Sequence, residues 1–340
     1  MKTIRRILLL LDEKLERTPA VDRAVALAQS LKAELWLALH DRGPNLGILG
    51  VMDRQQAHEI EALMRRQVSE RLADLRQTLL SDGVPVVRLI DDLTRLTAER
   101  VIQDIKEQQI DLVVKDVGHP SLLRRILLLP FDWALLRKCP VPVWLVGGNI
   151  PTRLPRRIVA AVDPVQPAHG AGPLNDHILE AARLLVTLGP SHVRVMSAFA
   201  GLPVGLQGLD PMGMSPGLSI DELYERLRAD HRTALHALLQ SHQLRPDAAM
   251  ILYGPPAPTL LDALDDFRPD VLVVGTLQRK RLDRLFMGST VERMVGDAPC
   301  DVLAIPAPAT EAVSPMVRKT GGRADVTVRP FRQPAMARCS

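Results

Sequence analysis

Aromatic side chains are scarce: three Trp, two Tyr and five Phe among 340 residues, 3% of the chain. Surfaces that hold single-stranded nucleic acid stack bases on such rings, so that class of function has little to build on. Cysteine is scarcer still. Cys139, Cys300 and Cys339 form no C-x-x-C pair, which excludes a disulfide framework and suits a reducing compartment. No apolar run approaches the ~18 residues a membrane-spanning helix requires. The run Ile7–Leu11 near the start is shorter than the ~7–15 residues of a signal-peptide core, and acidic residues follow it at once, so it reads as a buried strand. A net basic surface is missing too. The formal charge is +4, but residues 307–340 hold six bases and two acids, which leaves 37 of each in residues 1–306. The sequence pI of about 9.1 therefore says little about nucleic acid. Neither a Walker G-x-x-x-x-G-K-[ST] string nor H-E-x-x-H is present, so neither of those catalytic frameworks is available.

What the chain does have is repetition. Short, nearly continuous apolar runs alternate with longer helical patterns. The first half reads as strands at Arg6–Asp12, Ala33–His40, Pro85–Ile90, Asp111–Lys115 and Val141–Val146; the second as Arg157–Asp163, His192–Phe199, Ala248–Tyr253, Asp270–Gly275 and Asp301–Ile305. Runs without polar alternation belong to strands covered on both faces, which predicts parallel sheets in an α/β fold. A shift of 159 residues lays Asp111-Leu-Val-Val on Asp270-Val-Leu-Val, and Pro140-Val-Pro-Val-Trp-Leu-Val on Pro299-Cys-Asp-Val-Leu-Ala-Ile. One register that fits two separate strands indicates a tandem duplication. The organisation expected is 1–148, 149–306 and a disordered tail over 307–340, with the Gly/Pro-rich 147–155 as the link. A second irregular segment, 201–217, reads as a flap.

The stretch Val273–Thr290, VVGTLQRKRLDRLFMGST, joins an apolar strand to a helix through a basic loop with Arg279, Lys280, Arg281 and Arg284. A helix start offers unpaired N–H groups and a partial positive charge, and a glycine there lets backbone approach an anion. The stretch thus suits a phosphate, although a plain strand-to-helix turn with a Ser289 or Thr290 cap reads equally well.

These residues resemble the universal stress protein family over about residues 4–306. Nucleotide-binding members carry G-x2-G-x9-G-[ST] after the fourth strand and an Asp at the end of the first. Here the motif reads Gly275, Gln278 where a second Gly is expected, then Gly288-Ser289, and Asp163 ends Ile158-Val-Ala-Ala-Val-Asp. The first half, with Asp132-Trp133 and Leu136-Arg-Lys-Cys-Pro-Val-Pro-Val-Trp-Leu-Val, is similar to the tandem E-type subfamily. The resemblance implies two five-stranded parallel-sheet, Rossmann-like domains of the adenine nucleotide alpha hydrolase kind, paired inside one chain through their fifth strands. It leaves a homodimer open. It also implies a cytoplasmic stress-response protein that binds or senses ATP through its second half. In that reading Asp163 accepts from the ribose hydroxyls, and Pro164 and Ala198 frame the base. Gly275, Thr276, Gln278 and Arg279 border the phosphates, whose oxygens meet the N–H groups of Gly288, Ser289 and Thr290. The phosphates themselves carry any Mg²⁺.

The halves differ in what they keep. At the 159 shift Gly275 faces Asp116, Gln278 faces His119, and Gly288-Ser289-Thr290 face Leu129-Pro130-Phe131. A carboxylate repels phosphate, Leu129 blocks backbone approach and Pro130 lacks an N–H, so the first half is expected to be degenerate. Leu122–Leu129 would pack there, or hold an apolar ligand. If the position of Gln278 needs a positive φ, Gln costs roughly 1–2 kcal/mol, which weakens binding about tenfold without forbidding it. Three other readings stay open: an interaction scaffold that binds no nucleotide, a slow ATPase without an evident general base, and a binder of a nucleotide with an apolar tail. His231, His236 and His242 on one long helix read as a solvated face, because spacings of five and six do not align. Cys139 and Cys300 read as structural thiols.

Overall fold

The computed structural model describes residues 3–12, 15–39, 54–90, 97–117, 130–147, 154–165, 171–201, 220–276 and 289–308. The chain divides into two units, Met1–Pro308 and Ala309–Ser340. The second unit, and with it nearly all of the expected tail, lies outside the described residues, as do all but Gly201 of the expected flap over 201–217 and the whole of Leu122–Leu129.

Within the first unit, strands and helices alternate: β1 (Arg6–Leu11), α1 (Pro19–Leu31), β2 (Glu34–Leu39), α2 (Arg54–Ser81), β3 (Val86–Leu89), α3 (Ala98–Glu107), β4 (Leu112–Asp116), α4 (Pro130–Lys138) and β5 (Val143–Val146). The second half runs β6 (Arg157–Ala161), α5 (Ala171–Thr187), β7 (His192–Phe199), α6 (Ile220–Ser241), β8 (Ala249–Tyr253), α7 (Pro256–Phe267), β9 (Val271–Thr276), α8 (Ser289–Asp297) and β10 (Asp301–Pro306). Local chemistry sets these ends. Thr18 caps α1 by accepting from the Val21 N–H, Pro19 opens the helix, and Lys32 closes it in the left-handed conformation, all familiar helix punctuation. Thr97 caps α3 in the same way.

Each half is a parallel five-stranded sheet, and the two fuse. The strand order is β3-β2-β1-β4-β5-β10-β9-β6-β7-β8. Every pairing is parallel except β5 with β10, which is antiparallel. The strands feed both faces. Ile7, Leu9 and Leu11 enter one core while Leu8 and Leu10 enter the other, as period-two alternation requires when helices cover both sides.

The duplication is visible in the hydrogen bonds. Asp111 accepts from the N–H groups of Arg5 and Arg6 at 2.8 and 3.0 Å. Asp270, its partner at the 159 shift, accepts from Arg156 and Arg157 at 2.7 and 2.9 Å. Each Asp ties the foot of its fourth strand to the foot of the first. Helices α4 and α8 also begin and end at the same shift. The β1–β4 and β6–β9 registers (Ile7 with Leu112, Ile158 with Val271) equate β1 with β6 at a shift of 151.

Candidate nucleotide-binding edge

In the second half β6 lies between β7 and β9, so the chain leaves β6 in one direction for β7 and later crosses back to β9. The carboxyl ends of strands flanking such a reversal form a crevice. Asp163 stands just past β6 and is exposed, with Pro164 half-buried beside it. Ala198 lies near the end of β7, and Gly275 and Thr276 end β9. The fold therefore gathers Asp163, Pro164, Ala198, Gly275 and Thr276 on one edge. Ser289 and Thr290 open α8. Gln278, Arg279 and Gly288 lie outside the described residues.

Asp163 is held from α5. The buried Asn175 amide donates to the Asp163 carbonyl at 2.7 Å, and its oxygen accepts the Asp163 N–H at 3.2 Å. Asn175 thus supplies the pairing that the ladder, whose last bond joins the Val162 N–H to the Met196 carbonyl at 3.0 Å, no longer provides at Asp163. The Asp163 Oδ1 accepts from the Val165 N–H at 3.3 Å, an Asx turn across Pro164.

Gly275 has a packing reason to be glycine. A Cβ there would lie 2.6 Å from Leu174 Cδ2 and 3.0 Å from Ile178 Cδ1. Helix α5 sits directly on the β9 backbone, and only glycine leaves room. Thr276 is 2% exposed and donates its hydroxyl to the Ile305 carbonyl at 3.3 Å. Its carbonyl takes the Ala307 N–H at 3.0 Å, so its side chain serves the β9–β10 junction.

The first half fills the same edge with its own charges. The Asp116 carboxylate accepts the Thr18 hydroxyl and, at 3.0 Å, the Ala20 N–H at the start of α1. Burial raises its pKa, and those two bonds oppose the rise. Next to it, Lys115 reaches Asp132 in the first turn of α4 at 2.8 Å, both side chains being buried. The equivalent positions in the second half are Val274 and Val291. An internal carboxylate paired with a strand lysine therefore sits at the α4 start, where the second half has Val291 and carries its first-turn acid one position later, at Glu292.

The histidine expectation holds for His236, which is exposed, and fails for the other two. His231 is 4% exposed and its Nε2 lies 2.9 Å from the Oγ of buried Ser197. His242 is 9% exposed and pairs with Asp176 at 2.8 Å. Neither belongs to a solvated face. The two are eleven residues apart, just over three helical turns, with His242 one residue past the end of α6, so they share the inward side. Burial pushes the His231 imidazole below its ordinary pKa, and the Asp163 charge acts the other way. Around it, Phe199 contacts His231, Tyr224 and Tyr253 with ring centroids at 5.4, 5.5 and 6.2 Å. Arg228 covers Tyr253 at 4.3 Å. Both tyrosines of an aromatic-poor chain thus gather beside the β7 and β8 ends, a grouping with no linear signal.

Cys139 and Cys300 are buried thiols outside any disulfide, as expected. Burial drives Cys139 up to about 12 and raises Cys300 as well, which keeps both unreactive. Gly213-Met-Ser215-Pro-Gly217 spells G-x-S-x-G. It lies outside the described residues and well beyond the end of β7 at Phe199, whereas a nucleophile elbow needs its Ser at the strand-to-helix turn.

Comparison with known proteins accords with this architecture. The model of the "Universal stress protein family" matches residues 3–147 and again 156–306. "Universal stress protein E" of Salmonella typhi is 27% identical over 312 residues, spanning 90% of this chain and 95% of that protein. The "Universal stress protein E homolog" of Haemophilus influenzae is 25% identical over 313 residues, 88% and 97% of the two chains. Among solved structures, a putative universal stress protein from Pseudomonas aeruginosa UCBPP-PA14 superposes with a TM-score of 0.65 at 21% identity, over 90% and 94% of the chains. One from Archaeoglobus fulgidus gives 0.61 at 14%, over 90% and 100%; at these identities the likeness concerns the fold. Two family matches covering most of the chain establish that it belongs to the universal stress protein family, with two such domains in tandem.

Proposed function

We propose that the domain within residues 149–306 binds an adenine nucleotide, ATP by preference, and that the domain within 1–148 is its degenerate partner in a cytoplasmic stress-response protein. The observation that carries this is the asymmetry between the two equivalent edges. In the first half, Asp116 and the Lys115–Asp132 pair fill the edge with internal charge. In the second, those positions are Gly275, Val274 and Val291, so no strand lysine and helix acid are paired across the edge there; Glu292 shares the first turn of α8, and the N–H groups that open the helix suit an external anion. Asp163, exposed and clamped by Asn175, takes the ribose hydroxyls. Pro164 and Ala198 border the base. The Thr276 backbone, Gln278 and Arg279 border the phosphates, and the N–H groups of Gly288, Ser289 and Thr290 take their oxygens. Among the described residues no cluster of carboxylates suits a metal, so Mg²⁺ arrives on the phosphates.

A partner-binding scaffold is the second reading. Two observations favour it: Leu174 explains Gly275 without a ligand, and the Asp163 carboxylate already closes a local turn.

The test is mass spectrometry of small molecules released on denaturation, with calorimetric titration of ATP, for the parent beside Gly288→Val and Asp163→Asn. Nucleotide in the parent, bound at least tenfold more weakly by both folded variants, is expected. A parent that releases none and ignores added ATP would establish the scaffold instead.

A further inference from the structure

The fifth strands meet with Leu303 opposite Trp144, Val302 opposite Leu145 and Ala304 opposite Val143. Trp144 and Leu303 are themselves equivalent at the 159 shift. A pseudo-two-fold axis therefore passes between them, and like halves would form a symmetric seam. The observed seam is not symmetric. Asp301 of the second half is fully buried, and among the described residues at least four hydrogen bonds reach its carboxylate from the first half. Arg23 gives Nε at 3.1 Å and Nη2 at 2.9 Å, and the Trp144 indole N–H lies at 3.1 Å, all on Oδ2. The Gly147 N–H meets Oδ1 at 3.3 Å. Arg23 is 3% exposed and lies 5.6 Å over the Trp144 ring.

None of this has a mirror copy. The position equivalent to Asp301 is Pro142; those equivalent to Trp144 and Gly147 are Leu303 and Pro306. If two second halves paired, Asp301 would face Leu303 and Pro306, which offer it no donor. If two first halves paired, Arg23 would face Pro142. Either arrangement buries a charge against apolar groups, a severe penalty. The rest of the seam discriminates far less. Between α1 and α5 it is lined by Leu27, Leu31, Leu184 and Leu188, and apolar contact is not directional.

We infer that the Arg23–Asp301–Trp144 cluster is a specificity lock: it makes unlike halves pair and rejects a seam between like halves of two chains. Its contribution lies in excluding the wrong partner, more than in stabilising the right one.

The test uses full-length chains carrying Leu303→Cys and Cys339→Ser. In a seam between two second halves, residue 303 faces its own copy and can form an interchain disulfide; opposite Trp144 it cannot. Chains with the native cluster and chains with Arg23→Met/Asp301→Leu are unfolded, refolded under mild oxidation, and resolved on non-reducing gels. At least tenfold more cross-linked dimer from the Met/Leu chains is expected, with native-like circular dichroism. Equal cross-linking from both overturns the lock. Should the double variant fail to refold, Asp301→Asn, which keeps the shape and removes the charge, must still raise cross-linking severalfold, and the native level in that variant overturns it as well.

Discussion

Asn175 grips the backbone of Asp163 at both its N–H and its C=O, at 3.2 and 2.7 Å. A side chain on α5 thereby extends the β6 ladder by one residue and fixes where the Asp163 carboxylate emerges. The first half has Ala24 at the corresponding position, by the 151 shift that relates β1 to β6.

Asn175→Ala should therefore act on more than stability. Loss of two buried bonds costs about 1–3 kcal/mol, read as a lowered urea midpoint. Nucleotide affinity should fall at least tenfold at temperatures where the variant is fully folded, because the Asp163 turn is no longer held. Unchanged affinity in folded Asn175→Ala would remove Asn175 from the site.

Gly275 and Leu174 should couple. Gly275→Ala places a methyl against Leu174 and should destabilise the apo protein by about 1–3 kcal/mol. In a Leu174→Ala background the same change should cost less, with a coupling of about 0.5–3 kcal/mol. Additive costs in the double-mutant cycle would show that Gly275 is glycine for another reason.

The Lys115–Asp132 pair should be replaceable only as a pair. Lys115→Val leaves a buried carboxylate without its cation and should cost about 3–5 kcal/mol. Lys115→Val/Asp132→Val, the residues of the second half, should return stability to the parent's level or above it. Urea denaturation of the three proteins gives the comparison.

His231 should make the fold acid-sensitive. Its native pKa lies below the ordinary value of about 6.5, as burial favours the neutral imidazole. Above that value neither state binds the proton, so nothing changes. As pH falls below it, the unfolded chain takes the proton first and stability drops until the native pKa is passed. Asp116, whose native pKa is raised, works in the opposite sense, so the measurement is the difference between parent and His231→Gln. That difference should be flat from pH 8 to 7 and should move against the parent below about pH 6.5. A difference that stays flat through acid pH would mean that His231 is not held neutral.

Much of the architecture was legible along the chain. β1, β9 and β10 each hold a run of apolar residues, Ile7–Leu11, Val271–Val274 and Val302–Ile305, and a strand covered on both faces must carry such a run. Asp111 and Asp270 marked the repeat because each ties one strand foot to another. The site was legible only as residue types. Asp163 and Gly275 stand far apart in sequence, and nothing local says that α5 lies on Gly275 or that Asn175 reaches Asp163. The burial of His231 and His242 was not legible, because the face a helix buries depends on what it packs against.

The sequence by itself determined the elements, their repeat and the loss of the motif in the first half, since these follow from local propensity, apolar runs and the residues placed at each turn. Only the tertiary structure decided that the two sheets become one, that Gly275 answers to Leu174, and that Asp301 finds Arg23 across the seam. Those relationships join groups up to 278 residues apart, and their energies depend on burial and on direct contact between side chains, which exist only once the chain has closed on itself.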